Sequence, residues 1–247
     1  MAKPREHLSR APIAEALIDI RVLPREGIAA DVFIPLKNNL ANTYPKSSPM
    51  RSIEARFQLD QGKVSAENTV QSNVGWLFEA QGRKSVAQFR VDGFTYNKLE
   101  PYTTWEEVFS EAYRLWHLYI ESAKPLDVTR LAVRYINRLR LPAPVQLSKY
   151  LAAPPVLPPP IPQTIREFLT RVVVFESEHN SSAIITQAVE AALDPTLTPV
   201  LLDIDAFREA TIAPGDPLMP QMFEELRRLK NDIFFASITE HTVEMYA

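Results

Sequence analysis

The chain of 247 residues is 46% hydrophobic and 23% charged, a composition typical of a polypeptide that folds around a buried core. Its formal net charge of -3 supplies no global attraction to nucleic acid or to an anionic membrane. With no cysteine and only 6 separated glycines, it has no disulfide, thiolate nucleophile, thiolate-bound metal or glycine-rich phosphate loop. We expect a globular cytoplasmic protein without a cofactor, whose partners include neither nucleic acid nor a membrane.

The first half of the sequence predicts a strand, a helix, an antiparallel meander and a long helix. Alternating apolar residues predict the strand at 14–23, and apolar residues at helical spacing predict a helix over 28–42. Residues 51–92 show the short alternating runs of a meander, the first of which contains Ile53, Ala55, Phe57 and Leu59. Thr104 is a typical N-cap for a helix over 104–122, whose broad apolar stripe can cover a sheet.

The second half predicts four strands and a closing helix. The strands are expected at 126–141, 167–177, 182–193 and 199–207, and the helix at 218–234. A segment at 153–162 contains six prolines in ten residues. Such a segment favours an extended polyproline II conformation, so we expect an insert there rather than an element of the fold.

A short phrase at 91–94, Val-Asp-Gly-Phe, resembles Ile-Asp-Ala-Phe at 204–207, 113 positions later. The same offset superposes the first strand of each half and the two long helices, which predicts an internal duplication. We therefore expect an α+β fold with two related halves, residues 1–124 and 125–247, that form one compact pseudo-symmetric unit. Each half would be an antiparallel sheet covered by its C-terminal helix, as in helix-grip or TATA-binding-protein-like folds. Under this alignment Asp92 and Asp205 are expected in turns or at caps.

Several phrases along the chain are similar to those of a known group of proteins. They are Ala11-Pro12-Ile13 with Glu15, Pro101-Tyr102 with Trp105, Leu115-Trp116 with Tyr119, and Arg134-Tyr135-Ile136-Asn137-Arg138. With these phrases the chain resembles a sporadically distributed bacterial family of uncharacterised proteins of about this length. The resemblance implies no activity, and at most a place in mobile or defence-type gene neighbourhoods.

Four arginines, Arg130, Arg134, Arg138 and Arg140, occupy even positions of the strand at 126–141 and so share one face. A row of guanidinium groups can hold phosphate or carboxylate in bidentate fashion, which makes the row a candidate anion site. The more ordinary interpretation is that the arginines are solvated or pair with acidic residues of neighbouring strands. Asn137, on the other face, is a candidate ligand contact, although a hydrogen-bonded anchor in the core is the simpler interpretation.

Two acidic pairs form a candidate metal site. Glu176 and Glu178 precede His179, and Asp203 and Asp205 lie on a later strand. Residues two apart on a strand share a face, so the four carboxylates can be imagined around Mg²⁺ or Mn²⁺. The alternative is that they are ordinary acidic residues at strand ends.

The sequence favours a non-enzymatic protein that acts by binding a protein partner. A second copy of the chain is one option for this partner. The first alternative is a module that binds a small anionic or apolar molecule between helix and sheet. Aromatic residues can line such a cavity, although core packing is their simpler role; they are Trp76, Phe78, Phe89, Trp105, Phe109 and Trp116. The second alternative is a metal-dependent phosphoryl-transfer enzyme that uses the four carboxylates.

Overall fold

The structure, a computed structural model, describes residues 8–60 and 63–247, with the side chains of 53–60, 63–71 and 83 left outside the description. Its strands are β1 (Ile13–Leu23), β2 (Lys46–Asp60), β3 (Lys63–Glu79), β4 (Ser85–Arg90), β5 (Gly93–Leu99), β6 (Asp127–Pro142), β7 (Leu169–Glu176), β8 (Ser181–Val189) and β9 (Leu197–Ile212). Its helices are α1 (Leu36–Asn39), α2 (Trp105–Ala123), α3 (Met219–Ser237) and α4 (Glu240–Tyr246). The protein is therefore α+β, as predicted.

Within the described ranges all nine strands form one antiparallel sheet, in the order β2-β3-β4-β5-β1-β6-β9-β8-β7. The strands that open the two predicted halves, β1 and β6, are central neighbours. Outward from β1 come β5, β4, β3 and β2, and outward from β6 come β9, β8 and β7. Each half thus places its last strand next to its first, on opposite sides of the centre.

One face of the sheet is apolar and lies against α2 and α3. On β1 this face carries Ile18 and Ile20, and on β6 it carries Leu131 and Val133, all buried. The other face of these strands carries charged residues, which are less buried. The alternation predicted for residues 14–23 is confirmed, and it is the pattern of an antiparallel sheet with one covered face. We call the polar side of the sheet the open face.

The long helix α2 begins and ends where local chemistry favours it. The Thr104 hydroxyl oxygen accepts a hydrogen bond from the backbone N–H of Glu107 at 3.2 Å, so the predicted N-cap is confirmed. The helix ends at Ala123, because the next residue, Lys124, has a positive φ of 47° that breaks the helical backbone. Its apolar stripe, including Leu115, Trp116 and Tyr119, is buried against the sheet.

The helix predicted over 28–42 is wrong. The chain forms a 3-10 turn at Ala30–Phe33 and then the single helical turn α1. Pro35 stands between them, and a proline disfavours the helical conformation of the residue before it and lacks the N–H that a continuing helix requires. The apolar residues that produced the helical pattern still contribute to the core, because Phe33 and Leu40 are buried.

The remaining predictions differ mainly in boundaries. The meander is confirmed as β2, β3 and β4, while the side chains of Ile53, Ala55, Phe57 and Leu59 lie outside the description. The strand predicted at 199–207 is longer, because β9 continues to Ile212. Residues 152–168, which include the proline-rich insert, contain no helix or strand.

The prediction that Asp92 and Asp205 lie in turns or at caps is half wrong. Asp92 lies in the turn between β4 and β5, but Asp205 is in the middle of β9, opposite Arg134 of β6 and Ile184 of β8. None of the helices in the described residues is long and apolar enough to cross a bilayer.

Candidate ligand-binding site

The arginines at the inner end of the predicted row are paired with aspartates on the open face. Arg134 makes a bidentate contact with Asp203, with Nε–Oδ1 and Nη2–Oδ2 distances of 2.9 and 2.6 Å. Arg130 donates to Asp205 at 2.8 Å and to Asp19 at 3.3 Å. The hydrogen bonds that Arg134 donates to Asp203 raise the pKa of Arg134 above its usual range. These two guanidinium groups are therefore occupied by carboxylates of the protein.

The arginines at the outer end of the row also have acidic neighbours. Arg138 makes a bidentate contact with Glu190, and Arg140 lies 3.8 Å from the largely exposed Glu100. Together with Arg10, these two arginines line a cavity of about 240 Å³. The contacts of the four arginines therefore agree better with pairing to acidic residues of the protein than with a site that binds an external anion.

Asp19 on β1 is the centre of this network on the open face. Its carboxylate accepts hydrogen bonds from Arg21, Arg90, Arg130 and the Thr95 hydroxyl. The three guanidinium groups donate hydrogen bonds to the carboxylate oxygens of Asp19, and these bonds replace the hydrogen bonds to water that the oxygens lose on partial burial. The network links four strands, β1, β4, β5 and β6, so its role is structural.

The structure does not bring the four candidate metal-binding carboxylates together. Asp203 and Asp205 lie on the open face, where arginines occupy them. Glu176 pairs in register with Ser181, whose hydroxyl accepts from Arg208, and Arg208 contacts α3 through Glu225. Glu176 is thus on the helix-covered side. Alternation along the strands puts Glu176 on the face opposite to Asp203 and Asp205, while Glu178 lies in the turn after β7.

Glu176 and Glu178 do have a local partner in His179, since ligand atoms of the three lie within 4.8 Å of one another. The imidazole is also 2.9 Å from a guanidinium nitrogen of Arg228. A cation beside the ring opposes metal binding, so this cluster is explained by ordinary hydrogen bonds and ion pairing at a turn.

A cavity of about 290 Å³ lies near the start of α2, between α3 and the central strands. Helical spacing aligns Arg227, Lys230, Asn231 and Phe234 on one side of α3, and strand alternation puts Tyr135 and Asn137 on the same side of β6. The remaining lining residues come from three parts of the chain. They are Leu8, Ala11 and Ile13 near the N-terminus, Tyr102, Thr104, Trp105 and Glu106 around the start of α2, and Phe235 on α3. Two cations and several aromatic rings therefore border one cavity that is partly open to solvent.

Lys230 is the most unusual residue of the cavity, because only 7% of its surface is exposed. Its ammonium nitrogen lies 3.6 Å from the centroid of the Tyr135 ring and donates a hydrogen bond to Asn231. In the described part of the chain no carboxylate forms an ion pair with it. Burial, assisted by the charge of Arg227, lowers the pKa of Lys230 to about 7. The amine is therefore divided between charged and neutral forms at neutral pH.

Two tyrosines beside Lys230 share a hydrogen bond. The hydroxyl oxygens of Tyr102 and Tyr135 are 2.9 Å apart, and burial raises the pKa of both, well above its usual value for Tyr135. Both phenols stay protonated at neutral pH. Since their mutual hydrogen bond uses one of the two protons, the pair has one further O–H to donate.

Of the other polar residues of the cavity, Asn137 anchors the wall, and Arg227 and Glu106 lie at the opening to solvent. The Asn137 side-chain amide donates to the backbone oxygen of Leu202 at 3.0 Å, which agrees with an anchoring role, although the residue also lines the cavity. Arg227 contacts Glu224 at 2.9 Å, lies 3.9 Å from Glu106 and packs over the Trp105 ring. Because Arg227 and Glu106 are partly exposed, they form the charged entrance.

The buried amine makes stability depend on pH. Unfolded lysine has a pKa of about 10.4, so between about pH 7 and 10 the unfolded chain binds a proton that the folded protein does not. Stability should therefore rise with pH, by about 2 kcal/mol from pH 7 to pH 9. Urea unfolding of the wild type and Lys230→Met across this range measures the difference. Lys84→Met, at an exposed position, should follow the wild type; parallel curves for wild type and Lys230→Met would contradict the assignment.

Lys230, Arg227 and Tyr102 are not among the site residues predicted from the sequence. One signal was available: Leu226, Lys230 and Phe234 follow one another at intervals of four, so a lysine interrupts the apolar stripe of α3. A second indication becomes visible only in the structure. The phrases at 11–13, 102–105 and 134–138, far apart in sequence, all contribute residues to this cavity.

The sequence comparisons with known proteins indicate no function for this chain. A scan against protein-family models matches none, and a search of curated proteins finds no match for the chain. Function has to be inferred from the side chains described above.

Proposed function

We propose that this protein binds a small anionic molecule with an apolar or aromatic body in the cavity between α3 and the sheet. The observation that carries the proposal is Lys230, a buried amine that opens on a cavity and has no carboxylate partner among the described residues. A small anionic or apolar ligand was the first alternative function predicted from the sequence. We now propose the cavity, and not the arginine row, as its binding site.

The electrostatics favour an anion. A charged amine removed from water costs free energy unless an opposite charge or several hydrogen bonds replace the lost solvent. Lys230 has one side-chain amide and one aromatic face, while Arg227 adds a second positive charge nearby. Arg227 already has Glu224 and Glu106 as acidic neighbours, whereas Lys230 has none among the described residues. A carboxylate in the cavity would therefore offset the charge of Lys230 and would shift this residue towards its protonated form.

The shape and lining favour a compact ligand with an apolar part. The volume of about 290 Å³ is near the lower end of ligand sites, which range from roughly 300 to 1,000 Å³. Trp105, Tyr135 and Phe234 supply flat apolar surface, and the remaining phenol proton of the Tyr102–Tyr135 pair supplies a polar contact. Such a lining suits a small aromatic carboxylate.

Calorimetric titration with 3-phenylpropionate tests the proposal. We expect binding to the wild type and a loss of at least about 10-fold in affinity in Lys230→Met, because the variant keeps the apolar volume but lacks the charge; this corresponds to about 1.4 kcal/mol. Lys84→Met, which removes an exposed lysine, should bind like the wild type. The neutral amide of the same acid should bind more weakly. Equal binding of acid and amide, or no binding of either, would refute the proposal.

A second candidate function, association with another copy of the chain, is favoured by β7. This outermost strand exposes Leu169 at 72% and Phe175 at 66%, and Val172 and Val173 are also more than half exposed. At the other edge, the described part of β2 carries Lys46 and Pro49, residues that discourage strand addition. Judged from the side chains that the structure describes at the two edges, the β7 edge is therefore the one better suited to edge-to-edge pairing.

Twofold pairing of β7 with β7 is compatible with the side chains. Antiparallel pairing centred on Val173 would put Arg171 opposite Phe175 and Thr170 opposite Glu176, so no like charges meet. Sedimentation velocity over a range of concentrations should show a dimer that Val173→Lys abolishes. Val156→Lys, at an exposed site in the proline-rich insert, is the matched control. A wild type that stays monomeric at every concentration would exclude this candidate.

We also infer that the two halves are related by duplication in a helix-grip-like plan. The support is topological: β1 and β6 are central, β5 and β9 flank them, and a long helix follows each set. The alignment needs one adjustment, because Ile20 pairs with Phe94 whereas its counterpart Val133 pairs with Ala206, not with Phe207. A homologous sequence in which the two halves align without gaps would test the relationship.

A further inference from the structure

We infer that Lys230 is a nucleophilic amine that captures the carbonyl carbon of a small 2-oxo carboxylate as an imine. This inference rests on the proposed anion-binding function and extends it from binding to reversible covalent capture. The geometry that carries it is a buried amine that lines a partly open cavity, a second cation one helical turn away, and a phenol pair beside the amine.

The arrangement of cations matches the ligand class. Arg227 and Lys230 are three residues apart on α3 and so lie side by side on the helix surface. A 2-oxo acid carries its carboxylate and its carbonyl on adjacent carbons. A ligand carboxylate would share the Arg227 guanidinium with the exposed carboxylates of Glu224 and Glu106. In that position the neighbouring carbonyl carbon would lie near the amine of Lys230, and an apolar substituent would extend towards Trp105 and Phe234.

The chemistry balances without any further reagent. The lone pair of the neutral amine forms a C–N bond to the carbonyl carbon, and the C=O π electrons move to oxygen, which takes up a proton while nitrogen releases one. The resulting carbinolamine then loses water as its C–O bond breaks and a C=N bond forms. The phenol proton left over from the Tyr102–Tyr135 hydrogen bond is the group available to hydrogen-bond the oxygen.

The surroundings keep the amine reactive. An amine is more nucleophilic when it is desolvated and close to another cation, because both disfavour its protonated form. The groups that face Lys230 are Tyr135 on β6, Tyr102 before α2, Arg227 on α3 and, at the entrance, Glu106 on α2. Only Glu106 is anionic, and it lies beside Arg227 in exposed surroundings. The lowered pKa of Lys230, about 7, is consistent with this environment.

Reductive trapping of the full chain tests the inference. Phenylpyruvate and cyanoborohydride at pH 7 should add one ligand per chain, and peptide mapping should place it on Lys230 at least 10-fold faster than on the exposed Lys84. The rate at Lys230 should rise through about pH 7 and then level off, since the neutral amine reacts. Lys230→Met should lose the fast adduct, whereas Lys84→Met should keep it. Mapping of the wild type decides the site even if Lys230→Met folds poorly.

The outcomes separate this inference from the binding function. If 3-phenylpropionate binds but phenylpyruvate leaves Lys230 unmodified, or modifies it no faster than Lys84, imine formation is refuted and anion binding stands. If neither acid binds and no adduct forms, both are refuted. Fast, site-specific trapping at Lys230 supports both.

Discussion

Replacing Trp116 with alanine should lower the free energy of unfolding by about 3 to 5 kcal/mol. The indole is fully buried, stacks on Tyr119 with ring centroids 5.1 Å apart, and donates a hydrogen bond from Nε1 to the backbone oxygen of Pro214 at 3.1 Å. The substitution therefore removes a large apolar volume from the core beneath α2. It also removes a contact between α2 and the segment that leads into α3.

Urea unfolding followed by circular dichroism measures this effect. Trp116→Phe is the matched control: it keeps an aromatic ring in the core and loses only part of the volume and the hydrogen bond. Its loss should be clearly smaller than that of Trp116→Ala. A loss of less than about 1 kcal/mol for the alanine variant, which is typical of surface substitutions, would contradict the packing described for α2.

Replacing Asp19 with alanine should cost about 3 kcal/mol, because the poorly solvated guanidinium groups of Arg90 and Arg130 lose the carboxylate that they share. Arg130 then keeps only Asp205, and Arg90 keeps only the exposed Asp92, as acidic partners among the described residues. The Asp19 side chain is only 14% exposed. Removing one partner of a largely buried ion pair costs more than the pair contributes, since the remaining charge stays away from water.

Asp92→Ala provides the comparison for Asp19. Asp92 also contacts Arg21 and Arg90, but its side chain is 56% exposed, so water can replace it and the cost should stay below about 1 kcal/mol. Chemical denaturation of both variants at pH 7 measures the two values. Equal losses in the two variants would show that the Asp19 network does not stabilise the sheet in the way proposed.

The network around Asp19 also bears on function. A row of arginines on one strand is commonly read as an anion site, yet Arg130 and Arg134 are held by carboxylates of β1 and β9. Their charges are neutralised within the protein. Lys230 is the opposite case: a single cation, hidden from solvent, for which the described residues provide no carboxylate.

Local patterns in the sequence were enough to predict the α+β class, the strand at the start, the Thr104 cap and the covering helices. These features depend on residues within a few positions of one another, where alternation and helical spacing act directly. The same logic correctly put the four arginines on one face of β6. It failed at 28–42, where Pro35 interrupts a convincing helical spacing.

Only the tertiary structure decided what those residues face. The pairing of Arg134 with Asp203, the separation of Glu176 from Asp205 onto opposite faces, and the cavity beside Lys230 all depend on which strands and helices are neighbours. The state of Lys230 is the clearest example. Its position on α3 follows from helical periodicity, but its loss of water, and with it the lowered pKa, arises only when β6, the start of α2 and the N-terminal segment enclose the amine.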